Sequence, residues 1–252
     1  PLFQDEEVIG AVVTHEDITQ RKRAEERIEH LNTVLRAIRN VNQLITIEKD
    51  SKRLIKGTCN ELVETRGYFN AWIALLDESG RLASTAEAGL GKDFKPIVEM
   101  LKRGELTDCG RRALKQSGVI IIEDPPSTCV DCPLAQKYGV GVAMTVRLEY
   151  GGKVYGLMSV SIPRDLAADE EEQTLFREVA GDIALALHNI NLEEERKRAE
   201  EALRESEEKY RALFHSALDG VAIIDAETMK IVLINQTALK MYGFDSAEDM
   251  AE

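Results

Sequence analysis

Residues 139–163, GVGVAMTVRLEYGGKVYGLMSVSIP, hold the longest strand-like pattern in the chain, and their centre, Tyr150-Gly151-Gly152-Lys153, reads only as a turn. Two adjacent glycines supply the positive φ angles that a tight hairpin needs, so the stretch predicts two antiparallel arms. With an even-length turn, Val142, Met144, Val146 and Leu148 share a face with Tyr155, Leu157 and Ser159. Ala143, Thr145 and Arg147 then share the other with Gly156, Met158 and Val160. Neither face is wholly polar, which predicts a sheet covered on both sides, one side apolar and the other mixed and suited to a pocket wall.

Composition bounds what such a sheet belongs to. The 252 residues leave room for one or two domains, and 44% hydrophobic content is ordinary for a globular chain. A net charge of -13 argues against a nucleic-acid surface and against anionic lipid. No apolar run reaches the length of a membrane span, and no signal-peptide layout is present, so no membrane span is expected in this segment. Four cysteines do not make a disulfide framework in a chain of this length, which points to a reducing, cytoplasmic setting.

Working outward toward the N-terminus, Val119 to Glu123 reads as a short buried strand, and DPPSTCVDCPLAQKYG as a proline and cysteine loop leading into the hairpin. Lys95 to Arg103 and Thr107 to Gln116 read as short helices. Tyr68 to Leu76 and Arg81 to Ala88 are strands around an Asp77-Glu78-Ser79-Gly80 turn. Before them, SKRLIKGTCNELVETRG carries a helical apolar face, Leu54, Ile55, Cys59, Leu62 and Val63, and ends on Gly67. Trp72, Phe69 and Met144 read as core. Further upstream, Ala24, Ile28, Leu31, Leu35, Ile38, Asn42 and Ile45 fall at alternating four and three spacing after the capping Asp17-Ile18-Thr19. This is either an amphipathic helix packed on its own domain or the seam of a parallel coiled coil with one polar core residue to fix its register. Val8 to Val13 reads as a buried strand whose partners lie upstream, as in an excised fragment.

Toward the C-terminus, a helix begins at Asp169 and buries Leu175, Phe176, Val179, Ile183, Ala186, Leu187 and Ile190. Nothing stops it: Asn191 to Tyr210 is almost continuous charge, with Leu192, Ala199, Leu203, Ser206, Tyr210 and Leu213 in a weak seam and no glycine or proline. Arg21 to Glu26, RKRAEE, recurs letter for letter as Arg196 to Glu201, one copy on each side of the compact central region. Such placement reads as a repeated connector.

Glu205 to Asp249, with Tyr210 and Phe214, Asp219-Gly220, Val221 to Asp225, Asn235 and Met241-Tyr242-Gly243, resembles the beginning of a PAS domain. Val8 to Glu26, with Gly10 and Asp17 to Lys22, is similar to the end of another. Between them the order helix, helix, hairpin, helices, short strand, loop, hairpin, long helix resembles a GAF domain, most closely at Gly156 to Ser161 and at Glu171 to His188. The resemblance implies an α+β fold, a central antiparallel sheet with helices packed on it, long signalling helices at both ends and a partial PAS domain at each terminus. The expected divisions are the end of a PAS domain over 1–17, a helical linker over 18–33, the GAF domain over 34–190, a second linker over 191–208 and the start of a second PAS domain from 209 to 252.

What the resemblance further implies is the sensory and dimerising part of a cytoplasmic signalling protein, most often a histidine kinase. No phosphoacceptor helix or nucleotide-binding glycine motif is present in this sequence, so the segment itself is expected to be non-catalytic. A small-molecule ligand or a redox state would bias the packing of the flanking helices in a parallel homodimer. By hairpin geometry Thr145, Arg147, Gly156 and Met158 are the candidate ligand residues, with Tyr138 and the cysteine loop above them. Arg147 reads equally well as a solvated strand residue. Cys109, Cys129 and Cys132 are open to three readings: structural thiols, a redox pair, or a three-thiolate metal site. Cys132, just before Pro133 at an expected helix start, is the candidate for reactivity. Any cofactor is therefore unknown: none at all, or a metal at those three cysteines. The alternative function is a cysteine-based GAF enzyme such as a free methionine sulfoxide reductase.

Overall fold

The structure, a computed structural model, describes residues 2–4, 7–10, 22, 36, 39–137, 141–244 and 246. Tyr138, the seam positions Ala24, Ile28, Leu31, Leu35 and Ile38, and all but Lys22 of the first RKRAEE copy lie outside the described residues. The chain forms two compact units that divide between Ile190 and Asn191.

In the first unit, Leu2–Gln4 (β1) pairs antiparallel with Glu7–Gly10 (β2); of the strand expected over Val8 to Val13, residues 11–13 lie outside the described residues, and β1 supplies a partner within the chain itself. Helical residues 39–47 (α1) precede Ser51–Glu64 (α2), whose start is capped by Asp50, its Oδ1 accepting from Arg53 N at 2.8 Å. Then come Asn70–Leu76 (β3) and Leu82–Ala88 (β4), the helices Lys95–Lys102 (α3) and Asp108–Lys115 (α4), Ile120–Ile122 (β5) and the short helix Pro125–Thr128 (α5). The hairpin follows as Val142–Tyr150 (β6) and Lys153–Ile162 (β7), then the short helix Arg164–Ala167 (α6) and the helix Glu170–Ser216 (α7). The five strands β4-β3-β7-β6-β5 form one sheet, antiparallel at every pairing.

Each face of that sheet has its own core. Ala71, Ile73, Met144, Val146, Met158, Val160 and Ile162 meet Leu54, Ile55 and Leu62 of α2 and Phe176, Val179, Ile183 and Leu187 of α7. Helix α1 joins this side through Val41, with Leu44 and Ile45 partly buried. Asn42 is exposed, and Asn40 Nδ2 donates to Glu61 Oε2 of α2 at 2.8 Å. Over 39–47, then, the helix is packed on its own domain, through Val41 rather than through Asn42. The opposite face carries Trp72, Ala74, Ala143, Leu157, Ile120 and Ile122 under Phe94, Ile97, Leu101, Cys109 and Ala113.

The hairpin turn lies where the sequence puts it, with Gly151 and Gly152 at φ 60° and 81° and Tyr150 opposite Lys153. The faces differ from the expectation. Glu149 pairs with Val154 but Leu148 pairs with Gly156, leaving Tyr155 as an extra residue in β7. This bulge shifts the parity of everything beyond it. Val146 therefore faces with Met158 and Met144 with Val160, while Thr145 faces with Ser159 and Arg147 with Leu157. Gly156 is held by the neighbouring strand: a Cβ there would lie 2.0 Å from the Ala74 carbonyl oxygen, closer than any side chain tolerates. Trp72 and Met144 are buried as expected, whereas Phe69 is 48% exposed because it lies before the paired segment of β3.

In the second unit, residues 191–216 of α7 are followed by Ala222–Ile224 (β8), Ile231–Ile234 (β9) and Gln236–Tyr242 (α8). Asn235, fully buried, binds its elements together. Its Oδ1 accepts from Val221 N and Ala238 N, and its Nδ2 donates to the carbonyls of Phe214 and Asp219. All four hydrogen-bonding sites of the amide, two lone pairs and two N–H groups, are thereby used. Along 191–213, Leu192, Leu203, Tyr210 and Leu213 are exposed, and ion pairs such as Arg196 with Glu193 and Glu200 run along the helix.

Candidate functional site

The site grows from the ends of β3 and β7. Register sets Asn70 opposite Ser161 and Trp72 opposite Ser159, and carries the same rows onward to Ala143 and Thr145 of β6. Side chains of directly paired residues share a face, so Asn70, Trp72, Ser159, Ser161 and Thr145 all project toward α3, α4 and the cysteine loop. All five are buried, and Thr145 Oγ1 and Ser159 Oγ bond each other at 2.9 Å. Asn70 Oδ1, Trp72 Nε1 and Ser161 Oγ are buried without a protein partner. Such groups cost about 1–3 kcal/mol each when nothing satisfies them. Three of them belong to one face, beneath an otherwise apolar cover, where the protein itself leaves their donors and acceptors unmatched.

The cover is built by α3, α4 and the loop after β5. Phe94 lies against Trp72 with ring centroids 5.9 Å apart. Helix α4 is capped by Thr107, and Arg111 on α4 reaches Asp131 of the loop at 2.7 Å, which fixes the segment carrying Cys129 and Cys132 beside Cys109. The three cysteines are thus brought together, though as free thiols. Burial first, and then the charges of neighbouring cysteines and Asp131, push Cys129 up to about 11 and Cys132 up to about 12. Cys132 precedes only a three-residue turn, Ala135–Lys137, in place of the helix start expected there, and the single backbone hydrogen bond from Leu134 does not offset the burial. Burial thus opposes the thiolate that reactivity at Cys132 would need. Among the described residues no group of three or more His, Cys, Asp or Glu side chains is arranged to hold a metal ion.

Of the hairpin residues singled out from the sequence, Thr145 belongs to the polar patch. Arg147 is on the same face, but its Nη1 donates to the Leu114 carbonyl at the end of α4 and its Nη2 pairs with Glu149 at 2.5 Å. Its charge is therefore already balanced. Met158 and Gly156 belong to the opposite side of the sheet: Met158 is buried among the α2 and α7 side chains, and Gly156 lies opposite Leu148. The bulge separates them from the other two. Asn70, Ser159 and Ser161 were not legible as site residues, because a cross-strand register is needed to bring them together.

A second cluster adjoins the first. Phe69 N donates to Ser161 O at 2.8 Å, and the preceding residues, Arg66 and Tyr68, reach Glu172 in the first turn of α7. Arg66 Nη2 lies 2.5 Å from Glu172 Oε2, and the Tyr68 hydroxyl donates to Glu172 Oε1. Burial and, against the opposing effect of Arg66, the Glu172 carboxylate hold Tyr68 well above the usual phenol range. The strand end that presents Asn70 and the start of α7 are therefore one bonded unit.

With that arrangement in place, comparison with known proteins is decisive for the family. Residues 48–188, more than half of the chain, match the GAF domain. The chain belongs to the GAF domain family. Residues 208–252 match the PAS domain. A methyl sulfide methyltransferase-associated sensor from Methanosarcina acetivorans is 26% identical over 242 residues, 92% of this GAF chain and 22% of that protein. The sensor histidine kinase YhcY of Bacillus subtilis is 26% identical over 172 residues, 67% of this chain and 44% of its own length. The GAF chain thus spans less than half of the length of either relative. In fold it is similar to the GAF domain of a phosphoenolpyruvate-protein phosphotransferase from Coxiella burnetii, with a TM-score of 0.50, 15% identity, and coverage of 64% of this chain and 96% of that one. The mixed fold, a five-stranded antiparallel sheet with helices on it and a long helix leaving it, is the GAF-like fold expected from the sequence. Among the described residues no helix is long and apolar enough to cross a membrane.

Proposed function

We propose that this chain is the sensory relay of a longer cytoplasmic signalling protein, a histidine kinase, in which a small molecule on the α3/α4 face of the GAF sheet biases helix α7. The observation that carries the proposal is Glu172. It lies in the first turn of α7 and is bound by Arg66 and Tyr68, four and two residues before Asn70 on the ligand-facing side. A shift at the Asn70 and Ser161 end of the sheet would act directly on the root of a 47-residue helix. A differential affinity of about 1–3 kcal/mol between two packings of that helix suffices for ordinary regulation.

The names of the relatives, a sensor and a sensor histidine kinase, support this reading. The apolar row Leu192, Leu203, Tyr210 and Leu213, exposed on a single chain, supports a parallel homodimer through the connector, which would transmit the bias between modules. The segment itself performs no chemistry in this account. A cysteine enzyme needs a thiolate, and burial disfavours one at Cys59, Cys129 and Cys132 alike.

The test is hydrogen exchange of the whole chain carrying Glu172→Ala. The relay reading expects faster exchange in residues 68–76 and 153–162 together with 170–190. Faster exchange confined to the first turn of α7 would end it.

A further inference from the structure

The orphaned groups of the sheet face also specify the chemistry of what they receive. Trp72 Nε1 can only donate, Asn70 Oδ1 can only accept, and the Ser161 hydroxyl can do either. Ser161 is directly opposite Asn70 and diagonal to Trp72, so the three occupy neighbouring positions on one face of the sheet. The side chains over and beside that patch are apolar: Leu90, Phe94, Ile97 and Leu134 above, Ala143 and Ile122 alongside. The guanidinium of the same face, Arg147, is engaged by Glu149 and the Leu114 carbonyl through its two terminal nitrogens, while its Nε is buried without a protein partner.

We propose that the ligand of this face is a neutral molecule with an apolar body and an amide-like edge, its carbonyl accepting from Trp72 and its N–H donating to Asn70, with Ser161 bonding either. The assignment rests on the reading of this face as the ligand-facing one. A carboxylate or phosphate placed here would be repelled by the lone pairs of Asn70 Oδ1, and the one guanidinium of the face already shares its charge with Glu149. An ammonium ion would donate to Asn70 Oδ1 and Ser161 Oγ but would leave the Trp72 N–H without an acceptor. A pure hydrocarbon would leave all three groups unsatisfied. A neutral donor-acceptor edge alone satisfies the set.

Trp72 is the single tryptophan of the chain, so its indole N–H gives one assigned signal in a nitrogen-labelled sample. The probe is isovaleramide, compared with its isosteric anion isovalerate, on the full chain. The expected result is a saturable downfield movement of the Trp72 indole proton with the amide, and a midpoint at least tenfold higher with the anion. Ser161→Ala, a small change that removes one hydroxyl, is expected to raise the amide midpoint about threefold to tenfold, the worth of one neutral hydrogen bond. Circular dichroism on the same sample checks that this variant is folded. Equal midpoints for amide and anion, a tighter anion, or no movement with either probe while the protein is folded would each overturn the ligand class. The relay has a separate readout. If the amide moves the Trp72 signal but leaves exchange in 170–190 unchanged, the ligand class stands and the relay falls; if the amide does not bind, the Glu172→Ala test still decides the relay.

Discussion

Arg66 and Glu172 are 106 residues apart in sequence, yet Arg66 Nη2 lies 2.5 Å from Glu172 Oε2 with both side chains buried. The pair joins the turn before β3 to the first turn of α7. Taking two charges out of water is costly, and their attraction repays that cost only while both remain. Arg66→Met should therefore destabilise the chain by about 3–5 kcal/mol, while the double change Arg66→Met with Glu172→Met should recover most of the loss. Urea unfolding of the single and double variants measures both. A single variant within about 1 kcal/mol of the parent, the range of surface pairs, would show that the pair is not closed off from solvent.

Alkaline pH should loosen the same region. Tyr68 keeps its proton more tightly in the fold than in the open chain, and Cys59 is pushed from 9.0 up to about 12 by burial. Both folded values are raised and both groups are neutral when protonated. Their contribution is thus fully present below the unfolded value and is lost as pH rises above it. Cys59 acts first, from pH 9 upward, at about 1.4 kcal/mol per pH unit until its folded value is reached, and Tyr68 adds to the slope above about pH 10. Thermal unfolding between pH 7 and 11 should show a flat region and then a fall. Cys59→Ala, for comparison, should reduce the slope that begins at pH 9 and leave the share of Cys129 and Cys132, whose folded values are raised as well.

The loop thiols should be slow nucleophiles. With Cys129 pushed up to about 11 and Cys132 up to about 12, the thiolate fraction at pH 8 falls about a hundredfold and about a thousandfold below that of the denatured chain, and alkylation should slow in that order. Mass spectrometry of iodoacetamide-treated protein at timed intervals measures this. Rapid labelling of Cys132 in the folded protein would restore the reactive reading taken from its place before Pro133.

Gly156 should resist replacement. Gly156→Ala places a Cβ against the Ala74 carbonyl, at the last pair of the β3 and β7 ladder, and should cost about 1–3 kcal/mol in urea unfolding, as overpacked sites do. Gly118→Ala, where an added Cβ meets nothing within 4 Å, serves as the control and should change stability little.

The exposed row of the connector predicts assembly. Leu203, 62% exposed on one chain, should be covered in a dimer, so Leu203→Lys should shift the molecule toward monomer in light scattering after size-exclusion chromatography, with the helical signal largely kept by the Arg196 and Glu193 type pairs. A parent chain that is already monomeric at micromolar concentration would remove the dimer from the account.

The strands and helices of the sheet were largely legible because their signals are local. Gly151-Gly152 marks the hairpin, the apolar spacing of Leu54, Ile55, Cys59 and Leu62 marks α2, and Phe176 to Ile190 marks the buried face of α7. The candidate site was only half legible, because it depends on register. One bulged residue, Tyr155, moves Met158 to the other side of the sheet from Thr145, and no pattern in EYGGKVYG announces it. Asn70 and Ser161 become neighbours only through the β3 and β7 pairing, and Glu172 looks like any acidic residue in a first helical turn until Arg66 and Tyr68 are seen beside it.

The central claim, that the Asn70 and Ser161 end of the sheet and the root of α7 respond as one, is tested most directly by hydrogen exchange of the full chain with and without saturating isovaleramide. Because coupling is reciprocal, a molecule that orders the sheet end must also order what is bonded to it. The account predicts slower exchange in residues 68–72 and 159–162 and, in the same sample, in 170–176. Slower exchange in the two strands with residues 170–176 unchanged would contradict it.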